Sequence, residues 1–492
     1  MTQTSSTIPA AGPPPLDVAL SLLGRPDPDE LVPPQPQRVR PTTQAAPPAA
    51  PTAPTGAAVD WATVVLLRRL ASERITDNVD LWHRDRGTAM PEVDRRMMGR
   101  SIIKAVVREH AEHLTAVGQA MWPLELERRY ATAVEDATFG YGRLQPLFEI
   151  PDAENIEIHG FDSVMVQYGD GHREAHPPVA DSDEELVEAI RFLGENSAPA
   201  RAFDDAHPMM TLTLGDRFRL HAIGFGLSFR PSIIIRQHIL TDVTLHDLVR
   251  GGMLPAQAGR LLHSAVLAHK SIVISGDQGA GKTTLLRALI AAIPPNERFG
   301  TLETDYELLT HLQPGRRNML ALQAKVGLGE QSNGRHLGEY TVADLIPEAL
   351  RQNLSRLIVG EVRGSEAGAM FEAMQSGAGT MSTTHSHSAT STIDRLASRV
   401  AQGGVLSVAE ALRQVAHNIG LIVHVKLVDD TWRGGVRRRY VSEIRELTGG
   451  IEADRPVTHV AFAAATEASR EVFFPSERLM GELRPFDSAW GA

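Results

Sequence analysis

The stretch SIVISGDQGAGKTTLLRALI, residues 271–290, constrains the fold of this chain more than any other. A short apolar segment rich in β-branched residues leads into a glycine-rich loop, and a helical pattern follows the loop directly. Residues 276–283 match the phosphate-loop pattern G-x-x-x-x-G-K-[ST]. In such a loop the backbone N–H groups curl around a phosphate, and the N-terminus of the following helix adds partial positive charge. The stretch therefore predicts a strand, a loop and a helix of an α/β protein that binds a nucleotide.

The loop also predicts which residues hold the nucleotide. Lys282 is expected to reach the β- and γ-phosphates of ATP, and the Thr283 hydroxyl is expected to bind Mg²⁺. The remaining contacts are expected from the rest of the loop and the residue after it, namely Gly276, Asp277, Gln278, Gly279, Ala280, Gly281 and Thr284.

From residue 251 to about residue 447, strand-like segments alternate with helical ones. The strand-like segments are SIVISG, FGTLET, LALQ, LIVGE and TMSTT, and residues 419–447 are expected to form a closing β-hairpin. This alternation is typical of a parallel sheet with crossover helices, so we predict an α/β fold. The hairpin carries Arg437, Arg438 and Arg439, which we interpret as a solvated strand edge rather than a binding site.

Acidic side chains follow two predicted strands of this sheet. Glu361 comes directly after the apolar segment LIVG, and Glu303 and Glu307 follow another strand. Hydrolysis of ATP needs an acidic group near the metal and the attacking water, and ligands of α/β sheets bind at the carboxyl ends of the strands. A solvated glutamate is the alternative for each, but beside the phosphate loop we favour Glu361, and after it Glu303, as site residues.

The run STTHSHS places His385 at the end of the predicted strand TMSTT, with His387 two residues further on. Zinc requires three or four ligands, and neither a cysteine nor an HExxH pattern supplies the others. We therefore interpret His385 as a ligand-binding residue at the carboxyl end of a strand, where ligands of α/β sheets bind, and His387 as an incidental polar residue.

The rest of the chain divides by composition. Residues 1–57 are rich in Pro and Ala and predict a disordered arm, in which the apolar island 17–24 suggests a helical turn rather than a docking peptide. Residues 58–141 predict helices and residues 142–240 a compact α+β domain, with a hairpin around Gly215 and Asp216. Residues 241–450 would form the ATPase domain, and residues 451–492 are left as a tail without an assigned role.

Composition excludes several classes of protein. The chain has no cysteine, which excludes disulfides, thiolate catalysis and cysteine-ligated zinc and is compatible with a reducing cytoplasm. Its formal net charge of −11 argues against a broad surface that coats nucleic acid. The sequence shows no apolar run long enough to span a bilayer and no signal-peptide pattern, so any work at a membrane is expected to depend on docking.

Four motifs in order resemble the secretion ATPase superfamily that serves type II secretion, type IV pili and type IV secretion, and the tight-adherence (Flp) pilus assembly ATPases most of all. They are GDQGAGKTT as Walker A, TLETDYEL as the acidic box, RLIVGEVRGSEA as Walker B and GTMSTTHSHS as the histidine box. The resemblance covers roughly residues 60–447, since FGYGRLQPLFEIPDAENIEIHG and DLIPEALRQNLSRLIVGEVRG also resemble that family.

This resemblance implies a PAS-like N-terminal domain, a RecA-like motor domain and a homo-hexameric ring with ATP bound between the two domains. Glu303 and Glu361 would then position water and metal, and His385 would sense or contact the γ-phosphate. Arg219 and Arg236 match the arginines that complete the site, although each could instead be a surface arginine on a strand. Arg363 is expected to have a structural or linking role rather than a chemical one. The partners implied are integral membrane platform proteins and, indirectly, pilin-like export substrates, at the cytoplasmic face of the membrane and without direct contact to nucleic acid.

The sequence also departs from the family pattern. Thr304 stands where the acidic box has Asp, with Asp305 one place later, and His387 stands where the histidine box has Asn. Two alternatives therefore stay open beside a pilus or secretion motor: a conjugative DNA-transfer ATPase and a weakly hydrolysing ring subunit.

Overall fold

The computed structural model describes residues 59–197, 200–313, 315–325, 327, 331–332, 335–364, 366–375, 379–402, 406–465 and 470–490. The predicted Pro/Ala arm and its apolar island lie outside these residues.

The described region begins with a helical bundle formed by α1 (Trp61–Arg86), α2 (Glu92–Ala116) and α3 (Leu124–Phe139). The side chain of Asp60 caps α1 by accepting a hydrogen bond of 2.9 Å from the N–H of Thr63. The three helices share one apolar core, which contains Val64, Leu67, Ala71, Ile103, Val106, Val107, Tyr130, Val134 and Ala137. The helical N-terminal region that the fold class predicted is therefore present.

A six-stranded antiparallel sheet follows the bundle, in the order β3-β2-β1-β6-β5-β4. Its strands are β1 (Ala153–His159), β2 (Val164–Tyr168), β3 (Arg173–His176), β4 (Met209–Leu214), β5 (Phe218–Ile223) and β6 (Ser232–Gln237), with the helices α4 (Gln145–Phe148) and α5 (Asp183–Glu195). The predicted hairpin joins β4 and β5 through Gly215, whose φ of 55° lies in the left-handed region. The hydroxyl of Ser182 caps α5 by accepting from the N–H of Glu185, and α5 packs its apolar face into the core of the sheet.

Alternation along β5 and β6 places two arginines on the same side of this sheet. In β5 the side chains of Phe218, Leu220 and Ala222 are buried, and the residues between them are half-buried. Arg219 of β5 stands directly opposite Arg236 of β6 in the antiparallel register. Both arginines therefore lie on the face that is turned away from the apolar core.

The larger sheet of the described region has nine strands in the order β17-β16-β15-β14-β7-β13-β12-β8-β9. They are β7 (Ile272–Gly276), β8 (Phe299–Glu303), β9 (Met319–Gln323), β12 (Arg356–Val359), β13 (Met381–His385), β14 (Leu421–Asp429), β15 (Arg437–Glu452), β16 (Arg455–Ala463) and β17 (Val472–Phe473). Two further short strands, β10 (Gln331–Ser332) and β11 (Arg335–His336), pair with each other in antiparallel fashion. The run from β14 to β9 is parallel, and β15 to β17 are antiparallel.

Helices cover both faces of this sheet. They are α6 (Leu245–Arg250), α7 (Ala256–Leu267), α8 (Lys282–Ala291), α9 (Val342–Leu350), α10 (Glu366–Gln375), α11 (Ala389–Gln402), α12 (Val408–Asn418) and α13 (Glu477–Leu483). Strands β7 and β12 are buried along their whole length because helices pack on each side of them. The predicted α/β class, with an α+β domain before it, is confirmed.

The sheet extends beyond the region in which the sequence predicted strands. Strand β15 runs past residue 450, where the ATPase domain was expected to end, and β16 pairs with it. Strands β16 and β17, which lie in the tail left without an assigned role, therefore add two strands to the edge of the sheet. Among the helices that the structure describes, none has both the length and the apolar composition needed to cross a membrane.

Candidate nucleotide-binding site

The phosphate loop connects β7 to α8, and its glycines adopt backbone conformations that other residues rarely take. Gly279 has a φ of 73° and Gly281 a φ of 93°. At Gly276 a Cβ atom would stand 2.2 Å from the carbonyl oxygen of Val425, so no larger residue fits there. The loop is therefore shaped by its glycines, as the motif requires.

The predicted contact residues of the loop differ in their exposure to solvent. Asp277 and Gln278 are exposed and Ala280 is buried, while Thr283 and Thr284 are half-buried at the start of α8. The loop thus turns one polar edge outward and presents the two threonines to the neighbouring cleft.

Lys282 lies inside the loop and is buried. Its ammonium group donates hydrogen bonds to the carbonyl oxygens of Gly276, at 3.1 Å, and Asp277, at 2.8 Å. Burial lowers the pKa of Lys282 to about 8, since water is largely excluded from the charged form. A phosphate bound in the loop would stabilise this poorly solvated ammonium.

His385 connects Lys282 to Glu361. The register pairs His385 with Gly276, so the histidine stands beside the first residue of the loop. Its Nδ1 lies 3.3 Å from Nζ of Lys282, and its Nε2 lies 3.1 Å from Oε1 of Glu361, at ion-pair distance but outside hydrogen-bond alignment. Because an ammonium only donates, Nδ1 must accept, which assigns the imidazole proton to Nε2, facing the carboxylate.

Glu361 is half-buried and ionised. Its Oε2 atom forms an ion pair of 2.5 Å with Arg363. Burial acts to raise the pKa of Glu361, but the contacts with His385 and Arg363 outweigh it and lower the pKa to about 2. The carboxylate therefore stays charged at every physiological pH.

Glu303 is almost fully buried at the end of β8. Its Oε1 atom accepts hydrogen bonds from the N–H groups of Glu307, at 2.9 Å, and Leu308, at 2.7 Å. Its Oε2 atom is buried without a hydrogen-bond partner among the described residues. Burial raises the pKa of Glu303 to about 7, despite the two backbone hydrogen bonds. Glu303 is thus a carboxyl group that can exchange a proton near neutral pH.

The two predicted arginines of the α+β domain have different surroundings. Arg219 forms ion pairs with Asp305, at 2.7 Å, and Glu307, at 2.5 Å. Arg236 lines the cleft beside the loop, where its charge helps to lower the pKa of Lys282. The guanidinium of Arg236 forms no hydrogen bond or ion pair with any residue in the described part of the chain. The structure therefore places Arg219 on the acidic box and leaves the Arg236 guanidinium free for a ligand.

A cleft of about 600 Å³ lies between the α+β domain and the loop. Its polar lining includes Arg236, Thr283, Thr284 and Arg439, and its apolar lining includes Ile239, Leu240, Val243, Leu248 and Met253. Volume and lining both suit a ligand with a charged end and an apolar end. Thr283 also lines a small cavity of about 30 Å³ that contains Glu303 and Glu361. A hydroxyl and an ionised carboxylate that share a cavity are oxygen ligands of the kind that Mg²⁺ prefers.

The structure corrects the interpretation of the arginine run. Arg438 is exposed, but the side chains of Arg437 and Arg439 are mostly buried, at 7% and 22% exposure. Arg439 donates a hydrogen bond of 2.7 Å to the carbonyl oxygen of Gly279 in the loop. The prediction of a solvated edge is therefore wrong for Arg437 and Arg439, because alternate residues of β15 face the α+β domain. Their spacing of two residues on a predicted strand was the signal that could have separated them from Arg438.

Sequence reasoning also missed Arg287, which is buried in α8. Its guanidinium donates hydrogen bonds to the carbonyl oxygens of Leu240, at 2.7 Å, and Glu307, at 3.0 Å. Burial lowers its pKa to about 10. Arg287 thereby connects Leu240, at the end of the predicted α+β domain, to Glu307 in the acidic box. The sequence signal that could have identified it is a charged residue within the apolar run LLRALI.

The two histidines of STTHSHS do not share a partner. His387 has a side chain that is 90% exposed, and its Nδ1 atom lies 3.3 Å from Oδ1 of Asp277, whereas His385 faces Lys282 and Glu361. The pair is therefore not arranged around one metal ion.

Comparison with known proteins gives a family match. Residues 168–437 match the family model described as Type II/IV secretion system protein. A Mycobacterium tuberculosis (strain H37Rv) protein whose name ascribes to it a role in conjugal transfer is 31% identical over 328 residues, or 64% of this chain and 87% of that protein. Protein VirB11 of Agrobacterium fabrum is 32% identical over 178 residues, or 35% of this chain and 49% of its own length. Among solved structures, the Legionella pneumophila ATPase DotB is 19% identical with a TM-score of 0.42, covering 68% of this chain and 84% of that one.

Proposed function

This chain belongs to the type II/IV secretion system protein family, and from that premise we propose that it is an ATP hydrolase that drives pilus assembly or protein secretion. The secretion ATPase superfamily predicted from the four motifs is confirmed. The proposed motor is a homo-hexameric ring at the cytoplasmic face of the membrane, where it docks to an integral membrane platform. Through the platform it would act indirectly on pilin-like substrates, without direct contact to nucleic acid.

One observation carries the proposed chemistry. Lys282 in the loop connects through His385 to the ionised carboxylate of Glu361, while Glu303 beside them has a pKa of about 7. An ammonium for phosphate, a permanent anion and a carboxyl that titrates near neutrality are the groups that hydrolysis of a phosphoanhydride requires.

Each group then has a role in ATP hydrolysis. The Lys282 ammonium would hold the β- and γ-phosphate oxygens, and Arg236 would neutralise charge from the opposite wall of the cleft. Glu303 would accept a proton from the attacking water while the oxygen of that water forms a bond to the γ-phosphorus. The bond from phosphorus to the β–γ bridging oxygen breaks, and ADP leaves with that electron pair.

The metal site is proposed from the same cavity. Thr283 and Glu361 would hold Mg²⁺ through oxygen atoms, either directly or through water. When bound there, Mg²⁺ supplies positive charge beside the phosphates. His385 would keep the Glu361 carboxylate oriented and register the presence of a γ-phosphate through its contact with Lys282.

Replacement of Lys282 tests the proposal. Lys282→Ala should abolish phosphate release from ATP, while Arg438→Ala, which changes an exposed residue on β15, should leave it unchanged. Both variants are to be compared by phosphate release and by sedimentation, which measures whether the chain assembles into a hexameric ring. Turnover by Lys282→Ala at the rate of the unmodified chain would overturn the proposal, and rings that bind ATP without phosphate release would favour the weakly hydrolysing subunit.

Conjugative transfer is the second candidate, and the name of the Mycobacterium tuberculosis relative favours it. The net charge of −11 opposes direct binding of DNA, because phosphate contacts require clustered basic side chains. Affinity purification of the chain from its native cells separates the candidates. A polytopic membrane platform with pilins supports the first, whereas coupling proteins and a relaxase support the second.

A further inference from the structure

Arg439 of β15 holds the phosphate loop and the α+β domain at the same time. Its Nε donates a hydrogen bond of 2.7 Å to the carbonyl oxygen of Gly279 in the loop. Its Nη1 donates to the carbonyl oxygen of Gly169, at 3.2 Å, and its Nη2 donates to both carboxylate oxygens of Glu154, at 2.7 and 2.8 Å. One guanidinium therefore spans three segments, two of which belong to the α+β domain.

The bond to Gly279 fixes a peptide plane inside the loop. In a planar trans peptide, the carbonyl of one residue and the N–H of the next point in opposite directions. With the Gly279 carbonyl turned toward Arg439, the N–H of Ala280 must point away from Arg439, into the loop, where it reaches the carbonyl of Asp277 at 3.3 Å. Arg439 therefore holds the peptide plane between Gly279 and Ala280 in the orientation that closes this turn of the loop.

Glu154 is the anchor on the other domain. Its side chain is only 14% exposed, and it also lies 3.4 Å from Arg437. Without this carboxylate, Arg439 would lose its ion pair, and Arg437 would keep only its contact of 3.4 Å with Asp429, which is costly for charges in a partly desolvated site. The guanidinium of Arg439 therefore depends on Glu154, and hence on the α+β domain, to stay at the loop.

We propose that Arg439 is a positioning residue that couples closure of the α+β domain to the conformation of the phosphate loop. With Glu154 and Gly169 in place, Arg439 is held on Gly279 and the loop is ready for phosphate. When the domain moves away, Arg439 loses both of those contacts and releases the loop. The inference rests on the proposed nucleotide site but not on hydrolysis.

The test compares Arg439→Ala, Arg439→Lys, Glu154→Ala and the matched control Arg438→Ala in the full-length chain. The first readout is hydrogen exchange of the peptide that covers residues 276–284, without nucleotide. Exchange should rise in Arg439→Ala and also in Glu154→Ala, whose substitution lies in the other domain. Arg439→Lys should restore protection only in part, because an ammonium lacks the planar fork that serves three segments at once. Arg438→Ala should match the unmodified chain.

The second readout is the Kd of ADP by calorimetry. Arg439→Ala and Glu154→Ala should each raise it by about tenfold, an ordinary coupling for contacting charged groups, and the double variant should be no worse than either single one. Equal exchange and equal Kd in Arg439→Ala and Arg438→Ala would overturn the coupling. Additive effects in the double variant would also overturn it, since they would mean two separate structural losses. A chain that shows the coupling but releases no phosphate from ATP would overturn the proposed hydrolase alone.

Discussion

Glu303 and Glu361 stand at the ends of the neighbouring parallel strands β8 and β12, and their surroundings move their pKa values in opposite directions. Burial raises the pKa of Glu303 to about 7, whereas contacts with His385 and Arg363 overcome burial and lower the pKa of Glu361 to about 2. When the pKa values of two carboxyl groups in one site differ this much, the two groups are suited to different chemical roles. Glu303 fits the role of general base, and Glu361 fits that of a permanent anion for the metal.

Replacing Glu303 should therefore affect the chemical step. Glu303→Gln is isosteric and cannot accept a proton, so kcat should fall by about 100-fold or more, the ordinary contribution of a general base. The Kd of ADP should stay within about twofold, because the residue is buried behind the nucleotide cleft. Steady-state phosphate release and calorimetry measure the two quantities, and an unchanged kcat would remove Glu303 from the mechanism.

The same assignment predicts a pH dependence. Glu303 must be ionised to act as a base, and burial keeps it protonated up to a pKa of about 7, so kcat/KM should rise with pH through that value. The residual activity of Glu303→Gln should lack this rise, and Arg438→Ala should keep it. A rise centred near about pH 4.3, the ordinary value for a glutamate, would contradict the assignment.

Replacing Glu361 should instead affect the metal. Glu361→Gln removes the charge but keeps the shape, so the Mg²⁺ concentration that half-saturates ADP binding should rise by about tenfold or more, as for a lost metal-site partner. Affinity for ADP without Mg²⁺ should change little, which isolates the metal from the phosphate loop. An equal loss of ADP affinity with and without Mg²⁺ would show that Glu361 acts on the loop through His385 instead.

Replacing His385 and replacing His387 should have different effects on activity, although the two residues are only two positions apart. His385→Ala removes the contacts with Lys282 and Glu361, and we expect kcat to fall by about tenfold or more. His387→Ala changes an exposed side chain and should leave kcat within about twofold. A loss in His387→Ala as large as that in His385→Ala would mean that both side chains reach the nucleotide.

The sequence predicted the loop and the sheet because their causes are local. Glycines at 276, 279 and 281 are required by the backbone itself, and the alternation of strands and helices repeats along the chain. The end of β13 was also predictable from local pattern. The position of His385 beside the loop follows from it, because ligands of such sheets bind at the carboxyl ends of the strands.

The partners of the arginines were not predictable, because they come from distant parts of the chain. Arg439 and Glu154 are separated by 285 positions, and Arg219 and Glu307 by 88. Strand spacing alone shows that Arg437 and Arg439 share a face, but only the docked α+β domain decides that this face is buried. Strand β16 was missed for a related reason, because its place in the sheet depends on its pairing with β15 rather than on a strong local pattern.

Proton uptake should accompany nucleotide binding. Burial lowers the pKa of Lys282 to about 8 in the nucleotide-free chain, so about half of the molecules carry a neutral amine at pH 8. The negative phosphates of ADP stabilise the ammonium and raise that pKa, and binding at pH 8 should therefore take up roughly half a proton per site. Calorimetry in buffers of different ionisation enthalpy measures this number. Glu303→Gln should retain most of the uptake, because Glu303 titrates about one unit lower. Lys282→Arg should lose it, since a guanidinium is charged at every accessible pH, and an uptake that persists in Lys282→Arg would place the proton on another group.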